Sequence, residues 1–191
     1  MEKEKIFNIP NLLSFYRLLT FPLILWFIYS GEGNLFAIFL CINLATDVLD
    51  GLIARVFNLK TKFGAKLDSM ADNGSYILAF LGIFTFKMEE LSDSIWMLWL
   101  FIALYILGTL VSFVKFKQLP SLHLYTTKIG GYVQGIFIFI LFAWTYSQNL
   151  FYVAMIFGYV SHLEEIIILL ILKEMKSDAR GLFWILKERV D

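Results

Sequence analysis

Four aspartates in two apolar segments are the residues of this sequence best suited to chemistry. Asp47 and Asp50 lie three residues apart in the first segment, and Asp68 and Asp72 lie four apart in the second. A carboxylate at the bilayer centre costs roughly 2.5–3.5 kcal/mol on insertion scales, so four unpaired ones would destabilise the fold by about 10 kcal/mol or more. Bound divalent cations would neutralise them. The pattern therefore predicts a metal site, and paired metal ions are typical of chemistry on a phosphate.

Helical spacing places these carboxylates on two stripes that can face each other. One stripe consists of Asp47, Asp50, Gly51 and Ala54, and the other of Gly64, Asp68 and Asp72. Four carboxylates make an all-oxygen site that suits Mg²⁺ or Mn²⁺ better than Zn²⁺. Gly51 and Gly64 would let a phosphate or nucleotide approach the backbone, and Arg55 would pair with a phosphate oxygen.

The composition predicts an integral membrane protein. Of the 191 residues, 59% are hydrophobic and 18% aromatic, and the mean hydropathy is +0.73, which is outside the usual range of soluble domains. The single cysteine, Cys41, excludes an intrachain disulfide and a cysteine zinc cluster. No small-residue cleavage site follows the first apolar run, so we interpret that run as a retained span rather than a signal peptide.

Six segments are long and apolar enough to cross the hydrocarbon core, which takes about 20 helical residues. They cover approximately residues 12–29, 35–56, 63–86, 95–116, 129–146 and 150–172. With no repeat or long linker, residues 1–191 are predicted to form one all-α domain of six transmembrane helices. The stretch from Asn8 to Arg17 would lie along the interface as a short N-terminal segment. The alternative is an ordinary helix cap with Pro10 in the first turn.

The basic residues predict the orientation of these spans. If both termini are cytoplasmic, 15 of the 16 Lys and Arg residues lie on the cytoplasmic side and only Lys87 lies outside. This distribution is what the positive-inside rule predicts for an even number of spans. It also places the aspartates, and hence the active site, near the cytoplasmic face of a membrane, which we expect to be a bacterial cell membrane.

The motif as a whole resembles the signature of the CDP-alcohol phosphotransferase family. It reads Asp50-Gly51-x-x-Ala54-Arg55, then eight residues, then Gly64-x-x-x-Asp68-x-x-x-Asp72, with Asp47 three residues earlier. The six-span layout and the stretch from Asn8-x-Pro10-Asn11 to Arg17 also resemble that family. Its members transfer a substituted phosphate from a CDP-linked donor, commonly CDP-diacylglycerol, to the hydroxyl of an alcohol and release CMP.

The resemblance implies a role for each matched position. The four aspartates would hold two divalent cations, Mg²⁺ or Mn²⁺, and Asp72 would also be the general base for the acceptor hydroxyl. Gly51, Ala54 and Arg55 match positions that line the cytidine nucleotide, and Gly64 is predicted to contribute through its missing side chain. A homodimer is expected, and Gly131-x-x-x-Gly135 would serve either its interface or packing within the chain; no nucleic-acid partner is expected.

The acceptor alcohol depends on residues outside the motif. Ser69 and Asn73 stand where many phosphatidylglycerophosphate synthases have proline and lysine, which favours a serine- or inositol-type acceptor slightly over glycerol 3-phosphate. Glycerol 3-phosphate, serine, inositol and inositol phosphate all stay open. Lys128 and Glu164 are candidate acceptor ligands; the alternatives are positive-inside charge for the lysine and bundle-stabilising pairing for the glutamate. His123, in the loop before Lys128, fits a surface histidine.

Two functions of other classes compete with this one. A cation transporter would distribute its acidic residues through the membrane depth, whereas these gather in the cytoplasmic half. A non-catalytic protein that binds a CDP-lipid would not need all four aspartates, and all four are present.

Overall fold

The computed structural model describes residues 8–59, 61–118, 120, 122, 124–174 and 179–190. In chain order the helices are α1 (Ile9–Ser30), α2 (Gly33–Val56), α3 (Lys62–Phe86), α4 (Met88–Leu91), α5 (Ile95–Phe116), α6 (Tyr125–Ala143), α7 (Gln148–Ile171) and α8 (Leu182–Val190). A 3₁₀ turn over Ser92–Ser94 precedes α5. No strand occurs in the described ranges, so the all-α prediction is confirmed. His123 lies outside the described residues.

Within the described part of the chain, five helical stretches are long and apolar enough to cross a membrane: α1, α2, α4 through α5, α6 and α7. Helix α3 has 25 residues, but its first half contains Lys66, Asp68 and Asp72, which lower its hydropathy. The prediction of a polytopic membrane protein is confirmed, whereas the count of six spans is not.

The start of α1 shows the helix cap rather than a separate interfacial segment. Asn8 is the N-cap, and its side chain accepts a hydrogen bond from the Asn11 N–H at 2.9 Å. Pro10 lies in the first turn, where its missing N–H is not needed. The helix continues without interruption through Pro22. Residues 8–17 therefore belong to the cap and first turns of α1.

The chain forms two compact units. The first unit comprises residues 1–90 and 139–145, and within it α1 packs against both α2 and α3. The second comprises residues 91–138 and 146–191, and within it α7 packs against α5 and α8. The prediction of a single domain over residues 1–191 stays a prediction.

An aromatic cluster sets the spacing of α2 and α3 in the first unit. The Phe36 ring lies between those of Phe86 and Phe142, with centroid distances of 5.3 and 5.2 Å. A Cβ on Gly82 would lie 2.2 Å from the Phe36 ring, so only glycine allows this approach. The contact lies about ten residues, or roughly 15 Å of helix, from the aspartates. It holds the two helices together away from the charged cluster.

In the second unit, the C-terminal segment packs onto the end of α7. The buried cluster consists of Leu122, Leu124, Ile168, Leu169, Ala179 and Ile185. The Lys115 Nζ donates to the carbonyl oxygens of Leu169 and Leu170 at 2.9 and 2.7 Å. These are among the last carbonyls of α7, which lack helical partners. Lys115 therefore satisfies the end of this helix.

Candidate active site

The four aspartates converge on one guanidinium group, that of Arg17 on α1. Its Nη1 donates to Asp47 Oδ1 and to Asp72 Oδ1, each at 2.8 Å. Its Nη2 donates to Asp50 Oδ2 at 3.0 Å and to Asp68 Oδ1 at 2.6 Å. Each nitrogen thus joins one carboxylate of α2 to one of α3. The structure brings together all four carboxylates that helical spacing placed on facing stripes.

The cluster is buried on one side and accessible on the other. The Arg17 side chain is 1% exposed and that of Asp50 is 4% exposed. The side chains of Asp47, Asp68 and Asp72 are each at least 40% exposed. The three accessible carboxylates can therefore meet a ligand while Arg17 and Asp50 form the floor of the site.

Polar contacts fix α1 against α2 on both sides of Arg17. The Ser14 hydroxyl donates to Asp50 Oδ2 at 3.1 Å and also lies 3.2 Å from the Pro10 carbonyl. One turn beyond Arg17, the Thr20 hydroxyl donates to Asn43 Oδ1 at 3.2 Å. Because Ser14 and Arg17 are three residues apart on one helical face, both reach the same carboxylate.

A second set of contacts ties α1 to the turn between α2 and α3. Asn8 Nδ2 donates to the Leu59 carbonyl at 3.2 Å, and Asn11 Nδ2 donates to Thr61 Oγ1 at 3.4 Å. Thr61 in turn caps α3 by accepting from the Gly64 N–H at 2.9 Å. A Cβ on Gly64 would lie 2.2 Å from Asn11 Oδ1, so a side chain there would displace the Asn11 amide. These contacts set the register that places Arg17 between the aspartates.

The carboxylates fit a divalent metal site. One oxygen each of Asp47, Asp50 and Asp68 lie within 4.8 Å of one another. Two ligands on opposite sides of one Mg²⁺ are about 4.2 Å apart, so small side-chain shifts would bring these oxygens into coordination range. Among the described residues, Arg17 is the only cation that forms ion pairs with the cluster, so four carboxylates face one positive charge. An all-oxygen set with excess negative charge is what Mg²⁺ or Mn²⁺ requires.

The residues predicted to contact a nucleotide lie beside this cluster with different exposures. Gly51 and Ala54 are half-buried on α2, and Arg55 is exposed. The Arg55 Nε donates to the Gly51 carbonyl at 2.9 Å, which lays its guanidinium along the helix surface. Gly64 is buried against Asn11, so helix packing already requires a glycine there. Its nucleotide contact stays a prediction.

The two candidate acceptor ligands belong to the second unit. Lys128 is exposed, and its Nζ lies 5.8 Å from the centre of the Tyr125 ring. Glu164 is half-buried, and both of its oxygens have donors. Oε1 accepts from the Leu182 N–H at 2.8 Å, and Oε2 accepts from the Thr126 hydroxyl. These are the bundle-stabilising contacts that the sequence left open for Glu164.

Arg17 and Ser14 are site residues that the sequence motif did not identify. The sequence pattern places Arg17 only among the cytoplasmic positive charges and at the end of the N-terminal stretch. One signal was available: it is an arginine within the first predicted span, and ionisable residues within a span are functional candidates by default. Ser14 carries no comparable signal, because a serine within a membrane helix commonly bonds its own backbone.

The sequence is similar to those of known phosphatidyltransferases. The chain is 39% identical over 119 residues to a CDP-diacylglycerol–glycerol-3-phosphate 3-phosphatidyltransferase of Aquifex aeolicus, covering 61% of the chain and 66% of the relative. An Escherichia coli protein of the same name is 38% identical over 69 residues, covering 35% of the chain and 38% of the relative. A cardiolipin synthase (CMP-forming)/mitochondrial hydrolase fusion protein of Schizosaccharomyces pombe is 43% identical over 70 residues, covering 37% of the chain and 12% of the relative.

The matched segments thus span less than two thirds of the length of each of these relatives. The sequence model of the CDP-alcohol phosphatidyltransferase family, by contrast, matches residues 7–161, most of this chain and all four aspartates. The resemblance found in the motif is confirmed, and the chain belongs to the CDP-alcohol phosphatidyltransferase family.

Proposed function

We propose that this protein is a metal-dependent transferase that moves a phosphatidyl group from CDP-diacylglycerol to an acceptor alcohol and releases CMP. The observation that carries the proposal is the convergence of four carboxylates from α2 and α3 on one partly accessible point. Family membership and the names of the relatives support the donor. The apolar helices would keep the acyl chains of the donor in the bilayer beside that point.

In the proposed reaction, the acceptor hydroxyl oxygen bonds to the phosphorus that carries diacylglycerol. The bond from this phosphorus to the oxygen bridging to CMP breaks, and CMP leaves with the electron pair. Asp72, whose side chain is 41% exposed, accepts the hydroxyl proton. Asp47, Asp50, Asp68 and Asp72 would hold two Mg²⁺ or Mn²⁺ ions, which when bound stabilise the charge on the attacking and leaving oxygens.

The nucleotide half of the donor would lie along α2. Next to the cluster, Gly51 has no side chain and Ala54 has only a methyl group, and the exposed Arg55 offers a guanidinium for a phosphate oxygen. The hydrogen bond from Arg55 to the Gly51 carbonyl holds that guanidinium near the aspartates without engaging them. We assign the cytidine diphosphate to this surface.

We propose glycerol 3-phosphate as the acceptor, following the names of the Aquifex aeolicus and Escherichia coli relatives. Ser69 favoured a different acceptor in the sequence analysis. Its hydroxyl donates to the Ala65 carbonyl of its own helix at 2.9 Å, so this serine has a hydrogen-bond partner without any contact to a substrate. The role of Lys128 as an acceptor ligand stays a prediction from the sequence. For Glu164 we propose the stabilising role that its contacts support.

An acceptor screen tests this proposal. Purified protein is supplied with CDP-diacylglycerol, Mg²⁺ or Mn²⁺, and glycerol 3-phosphate, serine, inositol, inositol phosphate or phosphatidylglycerol, and CMP and the lipid product are quantified. We expect CMP and phosphatidylglycerophosphate with glycerol 3-phosphate alone. Turnover only with another alcohol would contradict glycerol 3-phosphate as the acceptor. Binding of CDP-diacylglycerol without turnover of any alcohol would favour the non-catalytic alternative.

We also propose a homodimer and a cytoplasmic active site. A Cβ on Gly135 would meet nothing within 4 Å, so packing within the chain does not require this glycine, which supports a role between chains. The excess of basic residues in the loops predicted to be internal supports the orientation. Gly135→Leu should shift the purified protein from dimer to monomer by analytical ultracentrifugation, and an unchanged dimer would place the interface elsewhere.

A further inference from the structure

Arg17 connects the same carboxylates that a metal ion would connect. Each of its terminal nitrogens bridges one aspartate of α2 and one of α3, at distances between 2.6 and 3.0 Å. A hydrogen-bonding proton lies about 1.9–2.0 Å from its acceptor oxygen, and Mg²⁺ lies about 2.0–2.1 Å from an oxygen ligand. The guanidinium protons therefore occupy the positions beside these oxygens that a bridging cation would need.

The positive charge of Arg17 cannot be removed by deprotonation, because a guanidinium stays protonated in proteins. A cation that bridges these same oxygens then competes with the guanidinium for them. One guanidinium leaves three of the four carboxylate charges unbalanced, so the cluster has reason to accept further cations. With two divalent cations and Arg17 retained nearby, the cluster carries one net positive charge, which suits an anionic diphosphate.

The present bonding of Arg17 is also incomplete. Its Nε is buried and has no hydrogen-bond partner among the described residues, although all four carboxylates surround the other end of the guanidinium. An unpaired buried N–H is costly, so a position in which Nε is paired would be favourable once the carboxylates are held by another cation. The backbone of Arg17 lies on α1, which carries none of the four aspartates, so the side chain can move without moving them.

We propose that Arg17 is a positioning residue for metal binding. Its guanidinium holds the four carboxylates together before divalent cations bind, competes with these cations for the carboxylate oxygens, and withdraws from the oxygens as the cations bind. This inference rests on the metal-dependent function proposed above. A residue that only orients metal ligands would strengthen metal binding, whereas a competitor weakens it, so the two roles predict opposite effects on affinity.

The test measures Mn²⁺ binding to detergent-purified protein through the electron paramagnetic resonance signal of free Mn²⁺, without substrate. Arg17→Gln removes the charge and keeps a shorter polar side chain, and Arg17→Lys keeps the charge but cannot bridge in the same fork geometry. We expect Arg17→Gln to bind Mn²⁺ about tenfold or more tightly than the wild type, with Arg17→Lys between them. Lys66→Gln removes a positive charge from an exposed side chain of α3 that forms no ion pair with the four carboxylates in the described part of the chain, and its Mn²⁺ affinity should stay within about twofold.

Thermal unfolding supplies the second measurement. In EDTA, Arg17→Gln should melt at a lower temperature than the wild type because four carboxylates then repel one another, and Mn²⁺ should raise its melting temperature more than that of the wild type. If Arg17→Gln does not survive in EDTA, it is purified with Mn²⁺ and its affinity is measured by competition with a chelator.

Equal or weaker Mn²⁺ binding by Arg17→Gln, with normal binding by the wild type, would overturn this inference and leave the proposed function standing. Absence of Mn²⁺ binding to the wild type and to both Arg17 variants would instead contradict the metal dependence of the proposed function, and this inference with it.

Discussion

The aspartates of the first unit and Glu164 of the second are carboxylates within apolar helices, but they differ in how fully the protein supplies them with partners. In the first unit, four aspartates share the single charge of Arg17, and three of them stay at least 40% exposed. In the second unit, the two oxygens of Glu164 are satisfied by the Thr126 hydroxyl and the Leu182 N–H. The N–H belongs to the first turn of α8, where helix amides lack partners and favour a negative charge.

The difference separates a ligand site from a structural site. A carboxylate with enough donors in the protein needs nothing more, so Glu164 is explained by holding the N-terminus of α8. Four carboxylates with one cation are not explained by the protein alone, because much of their charge has no counterpart among the described residues. Because the aspartates of the first unit combine excess negative charge with access, and Glu164 does not, we propose the first unit as the place of the reaction.

The largest difference that we expect between the two units is in kcat for CMP release. Asp68→Asn removes a proposed metal ligand while keeping the size of the side chain, and should lower kcat for CMP release by about 10³-fold or more, since several kcal/mol of charge stabilisation are lost. Glu164→Gln should change kcat less than about threefold. Both rates are measured per folded protein with CDP-diacylglycerol and glycerol 3-phosphate. If Glu164→Gln were as inactive as Asp68→Asn, the distinction between the two units would be lost.

Removal of the Glu164 carboxylate in the second unit should lower the stability of the protein. Glu164→Ala leaves the Leu182 N–H and the Thr126 hydroxyl without their acceptor, and should lower the free energy of unfolding by about 1–3 kcal/mol. Thermal unfolding in detergent measures the loss, and Glu165→Ala on the same helix, which removes a neighbouring carboxylate without touching either donor, is the matched control. Should the KM for the acceptor rise with no loss of stability, the acceptor role predicted from the sequence would return.

Two glycines at tightly packed positions, one in each unit, test whether a packing defect affects the reaction only in the first unit. A Cβ would lie 2.2 Å from Asn11 Oδ1 at Gly64 in the first unit and 2.6 Å from the Phe101 ring at Gly158 in the second. Alanine at either position should cost about 1–3 kcal/mol of stability through overpacking. Only Gly64→Ala should also lower kcat, by about tenfold or more, because it displaces the Asn11 amide that helps to hold α1 in register beside the aspartates. Equal kcat for the two folded variants would show that the register of α1 does not matter to the reaction.

We expect the smallest differences in stability and in Mn²⁺ affinity from two buried serines with similar hydrogen-bond partners, one in each unit. The Ser14 hydroxyl lies within hydrogen-bond distance of the carbonyl four residues earlier and of Asp50, and the Ser161 hydroxyl lies within hydrogen-bond distance of the carbonyl four residues earlier and of the Thr126 carbonyl. Each Ser→Ala change should cost about 0.5–1.5 kcal/mol of stability. Ser14→Ala should in addition alter the Mn²⁺ affinity, by about threefold, whereas Ser161→Ala should leave it unchanged. A similar change in both variants would mean that the serine at the aspartates has no special role.

Much of the helical layout was predictable, because long apolar runs separated by polar turns define membrane helices locally. The helix over residues 63–86 was also expected, although its charged first half makes it less apolar than the five helical stretches that could cross a membrane. Helix α8 was missed because its nine residues include charged side chains and are too few to show a clear period. One partner of Glu164 was missed with it, since that partner is a backbone N–H of α8.

The site was predictable as far as single helices determine it. Regular spacing gathers Asp47 with Asp50 and Asp68 with Asp72, so the four candidate ligands followed from the sequence. The approach of Arg17 did not follow, because it depends on how α1 packs against α2 and α3. That packing is set by contacts distant in sequence, such as those of Asn11 with Thr61 and Gly64.

The most direct test of the central claim is a titration of CMP release with divalent cation. Protein stripped with EDTA is supplied with CDP-diacylglycerol and glycerol 3-phosphate while Mn²⁺ or Mg²⁺ is added back. We predict no CMP above the background of the Asp68→Asn variant in EDTA, and full recovery as the cation is restored. CMP release by the wild type that is undiminished in EDTA would contradict the assignment of the four aspartates as the metal centre of the reaction.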